Sequence, residues 1–227
     1  MTEPSPPAQA PVPPAGWRVV HAAFLQSAPS VAECPPGDRP EFALAGRSNV
    51  GKSSLLNALV GQRGLARVSR TPGRTQLLNA FDLTLAGPGG ARLEIRCMDL
   101  PGYGFAAARR EIREGFGPMV EGYLRERTAL VALVLLVDAR RGELSDLDLA
   151  LLEAASERGR PSLIVATKID KLGASERGLL RRRLAAAVGA RPRDVLLTSA
   201  SEGVGVQGPD SLAADLAALC EHPPERP

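Results

Sequence analysis

The 227-residue sequence predicts an α/β fold, with a mostly parallel central sheet, one antiparallel strand, and helices on both faces. Three observations lead there. Short aliphatic runs such as "EFALAG" (41–46), "LVALVLLVD" (130–138) and "PSLIVATKID" (161–170) alternate with stretches of helical period. The runs are apolar at nearly every position rather than at every second one, the pattern of strands covered on both faces. Two further runs, "LLNAFDLTLAG" (77–87) and "ARLEIRCMDL" (91–100), meet around "GPGG" and read as a hairpin, which supplies the antiparallel member.

The elements follow in order. Residues 1–16 are proline-rich, can form neither helix nor core, and read as a disordered tail. After the strand 41–46 comes a helix over 52–60, then the hairpin, then a helix near 115–127 and the strand 130–138. "SDLDLALLEAASERG" (145–159) is a helix opened by a serine cap and closed by glycine. A strand in 161–170, a helix over 175–189, a strand in "DVLLTSAS" (194–201) and a helix over 209–220 complete the alternation. Residues 17–220 are expected to form one domain and 221–227 a short C-terminal tail, with Trp17, His21 and His222 as tail or packing residues.

Composition narrows the function classes. A net charge of +3 from 28 basic and 25 acidic residues permits contact with a polyanion but is far from a histone-like excess. Cys34, Cys97 and Cys220 are odd in number and widely spaced, which argues against a disulfide framework or a cysteine-bound metal and for a reducing cytoplasm. The N-terminus lacks the basic start and apolar stretch of a secretion signal, and the longest aliphatic run, 129–137, is too short to span a bilayer. A soluble, cytoplasmic monomer without membrane insertion is expected.

Only three of the basic residues are lysines, and each stands in a loop after a strand. Gly46, Arg47, Ser48, Asn49, Val50, Gly51, Lys52 and Ser53 satisfy GxxxxGK[ST] between a strand and a helix, the context that motif requires. Such a loop lets backbone N–H groups cradle phosphates at a helix N-terminus, while Lys52 reaches the β and γ phosphates and Ser53 offers a hydroxyl to Mg²⁺. The other two lysines fall in "TKIDK", where Thr167, Lys168, Ile169 and Asp170 follow a strand. A carboxylate at Asp170 can accept paired hydrogen bonds from guanine N1–H and its exocyclic amine, whereas adenine offers an acceptor at N1. Sites built on such bonds reject the analogue lacking them by up to ~10⁴–10⁵, so GTP and GDP are expected over ATP. Thr198, Ser199 and Ala200 would approach the other edge of the base. A plain solvated strand end is the competing reading of "TKID", and a nucleoside kinase or ATPase the competing function.

Between these loops lies "DLPG", in which Asp99 would face a Mg²⁺-bound water and Gly102 would donate its N–H to the γ-phosphate, with Leu100 and Pro101 completing the sensor. In "RTPGRTQ", Gly73, Arg74, Thr75 and Gln76 form the companion loop; Thr75 is the expected second Mg²⁺ ligand with Ser53, and Thr71 is its rival. Lys52, Thr75 and Gly102 are the residues expected to act on the transferred phosphoryl group. Loops that gain contacts only with the γ-phosphate present make a two-state switch.

The ordered set GRSNVGKS, TPGRTQ, DLPGYGFA, TKIDK and TSA resembles the EngB family of bacterial ribosome-assembly GTPases, of the TRAFAC class, from about Ala22 to Leu219. "RPEFALAGRSNVGKSSLLNAL", "DLPGYGFA" and "LLVDARRG…DLDLALLEAASERG" carry the resemblance beyond phosphate-loop proteins in general. The resemblance implies a Ras-like P-loop GTPase with the site residues above, acting in assembly of the large (50S) ribosomal subunit or its precursor through rRNA and ribosomal proteins, and needed for normal cell division and septation. A division or membrane effector is the alternative. The proline-rich tail and "NAF" at 79–81 depart from the family pattern.

Tyr103 stands where many switch GTPases carry a water-orienting glutamine, so intrinsic turnover is expected in the slow range of roughly 10⁻⁴ to 10⁻² per second. Asn49 is either a loop-shaping residue or, as in related GTPases, a marker of K⁺ assistance. Arg109 and Arg110 are read as a partner contact next to the switch, Arg140 and Arg141 as a further basic pair, and Arg181, Arg182 and Arg183 as helix solvation.

Overall fold

In the computed structural model, residues 16–62, 64–66, 77–103 and 117–221 are described. They form seven strands, β1 (Arg18–Ala28), β2 (Glu41–Gly46), β3 (Leu78–Ala86), β4 (Arg92–Asp99), β5 (Leu130–Asp138), β6 (Ser162–Thr167) and β7 (Val195–Leu197). Five α-helices accompany them: α1 (Lys52–Val60), α2 (Gly117–Glu126), α3 (Asp146–Ser156), α4 (Ala174–Ala187) and α5 (Leu212–Glu221). The sheet order is β1-β3-β4-β2-β5-β6-β7. β3 runs antiparallel to both its neighbours and every other adjacent pair is parallel, so the single reversed strand is the one expected from the hairpin.

Side-chain alternation along the strands divides the interior into two layers. Phe42 and Leu44 of β2 join Ala132, Val134 and Leu136 of β5 beneath α1 and α5. Ala43 and Ala45 join Leu133, Leu135 and Val137 beneath α2, α3 and α4. All these positions are buried, which is why the strands read as unbroken apolar runs. Helix α1 buries Leu55, Leu56 and Leu59, each side chain contributing about 1.5–3 kcal/mol, and ends where Gly61 adopts a left-handed conformation. Helix α3 begins with the cap anticipated from its sequence: the Ser145 hydroxyl accepts from the Asp148 amide, and the Asp148 carboxylate accepts from the Ser145 amide.

Strand β1 was not anticipated. Its register runs from Arg18 opposite Ala86 to Ala28 opposite Leu78, with irregularities after Val19 and Phe24. Trp17, grouped in the sequence with tail or packing residues, packs: a side chain at Gly87 would stand 2.7 Å from the indole, and the Trp17 carbonyl accepts from the Gly208 amide at 2.9 Å. The last strand is shorter than expected, because the chain doubles back after Leu197, with the Ser199 amide donating to the Val204 carbonyl at 3.0 Å.

At the amino-terminal end of the sheet, fully buried Glu41 anchors α2. Its carboxylate accepts from Arg127 Nε at 2.7 Å, Arg127 Nη2 at 2.6 Å and the Tyr123 hydroxyl at 2.8 Å, with Arg96 Nη1 3.5 Å away. Arg96, also buried, is held in turn by Asp82 at 2.6 Å. Among the described residues no helix is long and apolar enough to cross a membrane.

Candidate functional site

Strand β2 lies at the centre of the sheet, with β4 on one side and β5 on the other. The segment that leaves it therefore enters the crevice at the carboxyl ends of parallel strands, where ligands bind in open α/β sheets. Gly46 closes β2 with φ +152°, and a Cβ there would lie 2.8 Å from the Leu136 carbonyl oxygen, so only glycine fits against β5. Asn49 is left-handed at φ 62°, and Gly51, the N-cap of α1, has φ 112° and brings no capping side chain. The first-turn amides of α1 are thus left without a side-chain cap beside Lys52, whose Nζ donates to the Gly46 carbonyl at 3.5 Å. That is the arrangement that favours an anion.

Asp99, the last residue of β4, faces the same crevice. Burial pushes the Lys52 ammonium below its ordinary pKa, opposed by the Asp99 carboxylate, and burial pushes Asp99 up, opposed by Lys52. Asp99 Oδ1 is sealed from solvent and has no hydrogen-bond partner among the described residues, a costly condition that a cation-bound water would relieve. Together with the Ser53 hydroxyl at the start of α1, it offers the oxygen donors that suit a hard cation such as Mg²⁺. Gly102 lies directly against residues 46–53, the expected phosphate loop: a Cβ on it would stand 3.0 Å from Ser48 Cα and 3.1 Å from Lys52 Nζ. Next to it, the Tyr103 carbonyl accepts from the Ser48 amide at 2.7 Å. The Tyr103 side chain turns away into the core and donates its hydroxyl to Asp148, so no phenol is presented to the crevice.

The third loop follows β6. The Thr167 hydroxyl donates to the Val50 carbonyl at 2.7 Å, which ties this loop to the phosphate loop. Lys168 is left-handed (φ 61°) and its Nζ donates to the Asn49 carbonyl at 2.6 Å and to Asp138 Oδ2 at 2.8 Å. Asp170 accepts from the Ser199 hydroxyl at 2.8 Å and pairs with Lys171 at 3.0 Å; these bonds, Ser199 first, draw its carboxyl below the usual range. The Ile169 amide reaches the Thr198 carbonyl at 3.3 Å, bringing 198–200 alongside. A pocket of about 420 Å³ lies between α1 (Ser54, Asn57, Ala58), the following Gly61 and Gln62, and Ala200–Ser201, with no residue of 46–53 or 167–170 in its lining.

The structure thus gathers Gly46–Ser53, Asp99–Gly102, Thr167–Asp170 and Thr198–Ala200 at one edge of the sheet. Gly73, Arg74, Thr75 and Gln76, with Thr71, lie outside the described residues, as do Arg109 and Arg110. Arg140 pairs with Asp138 at 2.6 Å; Arg181, expected to solvate its helix, is instead half-buried with Nε donating to the Val195 carbonyl at 3.1 Å, while Arg182 and Arg183 are exposed. Sequence reasoning missed Asp138 and the service of Ser199 to Asp170; the only trace was the acid ending the run "LLVD".

Comparison with known proteins gives concordant results. Residues 41–168 match the family model of the 50S ribosome-binding GTPase. The chain is 46% identical to the probable GTP-binding protein EngB of Anaeromyxobacter sp. (strain K) over 210 residues, covering 92% of this chain and 95% of the relative. It is 41% identical to the probable GTP-binding protein EngB of Lactobacillus gasseri over 178 residues, 78% of this chain and 87% of that one. Among solved structures, a probable GTP-binding protein engB aligns at 23% identity with a TM-score of 0.53, covering 73% of this chain and 92% of its own. Era of Aquifex aeolicus bound to GDP·AlF₄⁻ aligns at 22% identity with a TM-score of 0.60, covering 82% and 57%. These two share the fold.

Proposed function

Because the chain belongs to the EngB family of GTP-binding proteins, we propose that this GTPase is a Mg²⁺-dependent switch of slow intrinsic turnover that acts on the large ribosomal subunit or its precursor. The observation that carries the reading is Gly102 packed on Ser48 and the Lys52 ammonium, since a sensor seated on the phosphate loop must respond to what that loop holds. Residues 17–220 act as one G domain, cytoplasmic and monomeric.

Each residue has a part in this scheme. Backbone amides of Gly46–Ser53 bind the phosphates, and Lys52 neutralises charge on the β and γ groups. Asp170, oriented by Ser199, accepts the two guanine donors, while Thr198–Ala200 close the other edge. Ser53 and Thr75 would hold Mg²⁺, with Asp99 accepting from its water; the ion would supply positive charge to offset that developing on the phosphate oxygens. Gly102 offers its amide to the γ-phosphate, and Gly73, Arg74 and Gln76 belong to the loop that orders with it.

Slow turnover follows from Tyr103, whose hydroxyl is committed to Asp148 and so orients no attacking water. A partner supplies or orders the missing group; K⁺ assistance at Asn49 would be a second source, the alternative for that residue being a loop-shaping role. Equal hydrolysis in KCl and NaCl would remove the K⁺ contribution. The family model's description as 50S ribosome-binding supports the ribosomal partner, and the role in cell division and septation is the one that the family resemblance implies.

The deciding experiment loads the protein with GDP or a non-hydrolysable GTP analogue and measures its binding to purified large subunits and their precursors. Preference of the GTP form for precursor particles is expected. No binding in either state, with nucleotide affinity intact, would move the effector to a division or membrane protein.

A further inference from the structure

Asp138 is the last residue of β5, and it stands level with Thr167 at the end of β6. It is 7% exposed, and three groups converge on its carboxylate. Arg140 donates from Nε to Oδ1 at 2.9 Å and from Nη2 to Oδ2 at 2.6 Å, and its amide reaches Oδ1 at 3.1 Å. The Lys168 ammonium donates to Oδ2 at 2.8 Å and, with a second proton, to the Asn49 carbonyl at 2.6 Å. One carboxylate therefore sits between two cations, and one of those cations bridges to the phosphate loop.

We propose that Asp138 is a positioning residue of the nucleotide site: it holds the Lys168 ammonium on the Asn49 carbonyl and so joins the base loop to the phosphate loop. This rests on reading 46–53 and 167–170 as one guanine-nucleotide site. Three features support it. Lys168 keeps a left-handed backbone that a lysine adopts only under constraint, and a side chain drawn back over the strand ends supplies one. Asn49, the residue it grips, is left-handed as well, so the bridge joins two left-handed backbone positions. Without the charge at 138, Lys168 and Arg140 would face one another as like charges, and the ammonium, on a side chain already 29% exposed, would leave for solvent. Burial alone would favour a neutral carboxyl, yet the bonds from Arg140 and Lys168 hold Asp138 far below the usual carboxylate range, so the bridge is charged at any working pH.

The test is the release rate of a fluorescent GDP from wild type, Asp138→Asn, Lys168→Met and the double variant, chased with unlabelled GDP, with thermal unfolding of each measured alongside. Lys168→Met keeps the aliphatic stem and leaves Asp138 paired with Arg140, so it remains informative even where Asp138→Asn destabilises the fold. Each single variant is expected to release GDP about ten- to a hundredfold faster, the range of one charge-assisted hydrogen bond. The double variant is expected to be no faster than Lys168→Met alone, because the two residues act through one bridge. Unchanged release in Lys168→Met, or single effects that multiply in the double variant as for an independent structural loss, would overturn the inference. A wild type that binds no GDP would instead overturn the guanine-nucleotide site itself.

Discussion

Arg127→Ala should be among the most destabilising single changes away from the candidate site, and the structure gives the size of the loss. Glu41 is fully buried and takes two of its three close hydrogen bonds, at 2.6 and 2.7 Å, from this guanidinium. Truncation strips both and leaves the carboxylate with the Tyr123 hydroxyl at 2.8 Å and Arg96 at 3.5 Å. Removing one partner of a buried ion pair costs about 3–5 kcal/mol, and the remaining Arg96 places this case near ~3 kcal/mol. For a domain of this size each kcal/mol lowers Tm by about 2–4 °C, so a fall of about 6–12 °C is expected. Urea and thermal unfolding followed by circular dichroism would measure it, with Arg125→Ala on the exposed side of α2 as a control expected to move stability by less than about 0.5 kcal/mol. A loss below about 1 kcal/mol in Arg127→Ala would refute the claim that this network anchors α2.

Three further outcomes are expected. Asp170→Asn should weaken GDP at least ~100-fold and raise the relative affinity for xanthosine diphosphate, which presents an acceptor where guanine presents its amine; unaltered selectivity in competition binding would count against Asp170 as the base reader. Gly102→Ala should bring a methyl to 3.0 Å from Ser48 Cα and abolish the preference for GTP analogue over GDP without lowering Tm, and a retained preference would count against the sensor. Burial pushes the thiols of Cys97 and Cys220 up to about 12 and about 11. At pH 8 about one in a thousand or fewer is thiolate, so a thiol reagent should leave both unmodified in native protein and modify all three cysteines in denaturant. The sign follows: unfolded thiols ionise near 9, so the stability these two contribute is whole below about pH 9 and is lost as pH rises towards 12, and fast native labelling of Cys97 would refute this.

The strands covered on both faces were legible because burial admits polar residues only where they are paired, here Glu41 and Asp138 at the strand ends: β2 and β5 span the residues their apolar runs mark. Strand β1 was illegible for the opposite reason. It is an edge strand, its residues 23–27 are all exposed, and apolar Phe24 and Leu25 stand there beside Gln26 and Ser27, so no alternation survives. Within the candidate site, residues whose task is local could be found from spacing, as for Gly46, Gly51 and Lys52. Residues that act through a distant partner could not. Nothing in "LLVD" announces that Asp138 meets a lysine 30 positions on, nor in "TSA" that Ser199 turns towards Asp170.

Tyr103 is fastened at both ends, its carbonyl to the Ser48 amide and its hydroxyl to Asp148, whose second oxygen closes the first turn of α3. Releasing either fastening would strand a buried polar group, so both partners are needed to hold Tyr103 where it is. For anyone grafting this site onto another sheet, the transplantable unit is therefore wider than the glycine-rich loop. It includes Tyr103 and the four residues Ser145–Asp148, although more than 90 positions separate Ser48 from that helix start.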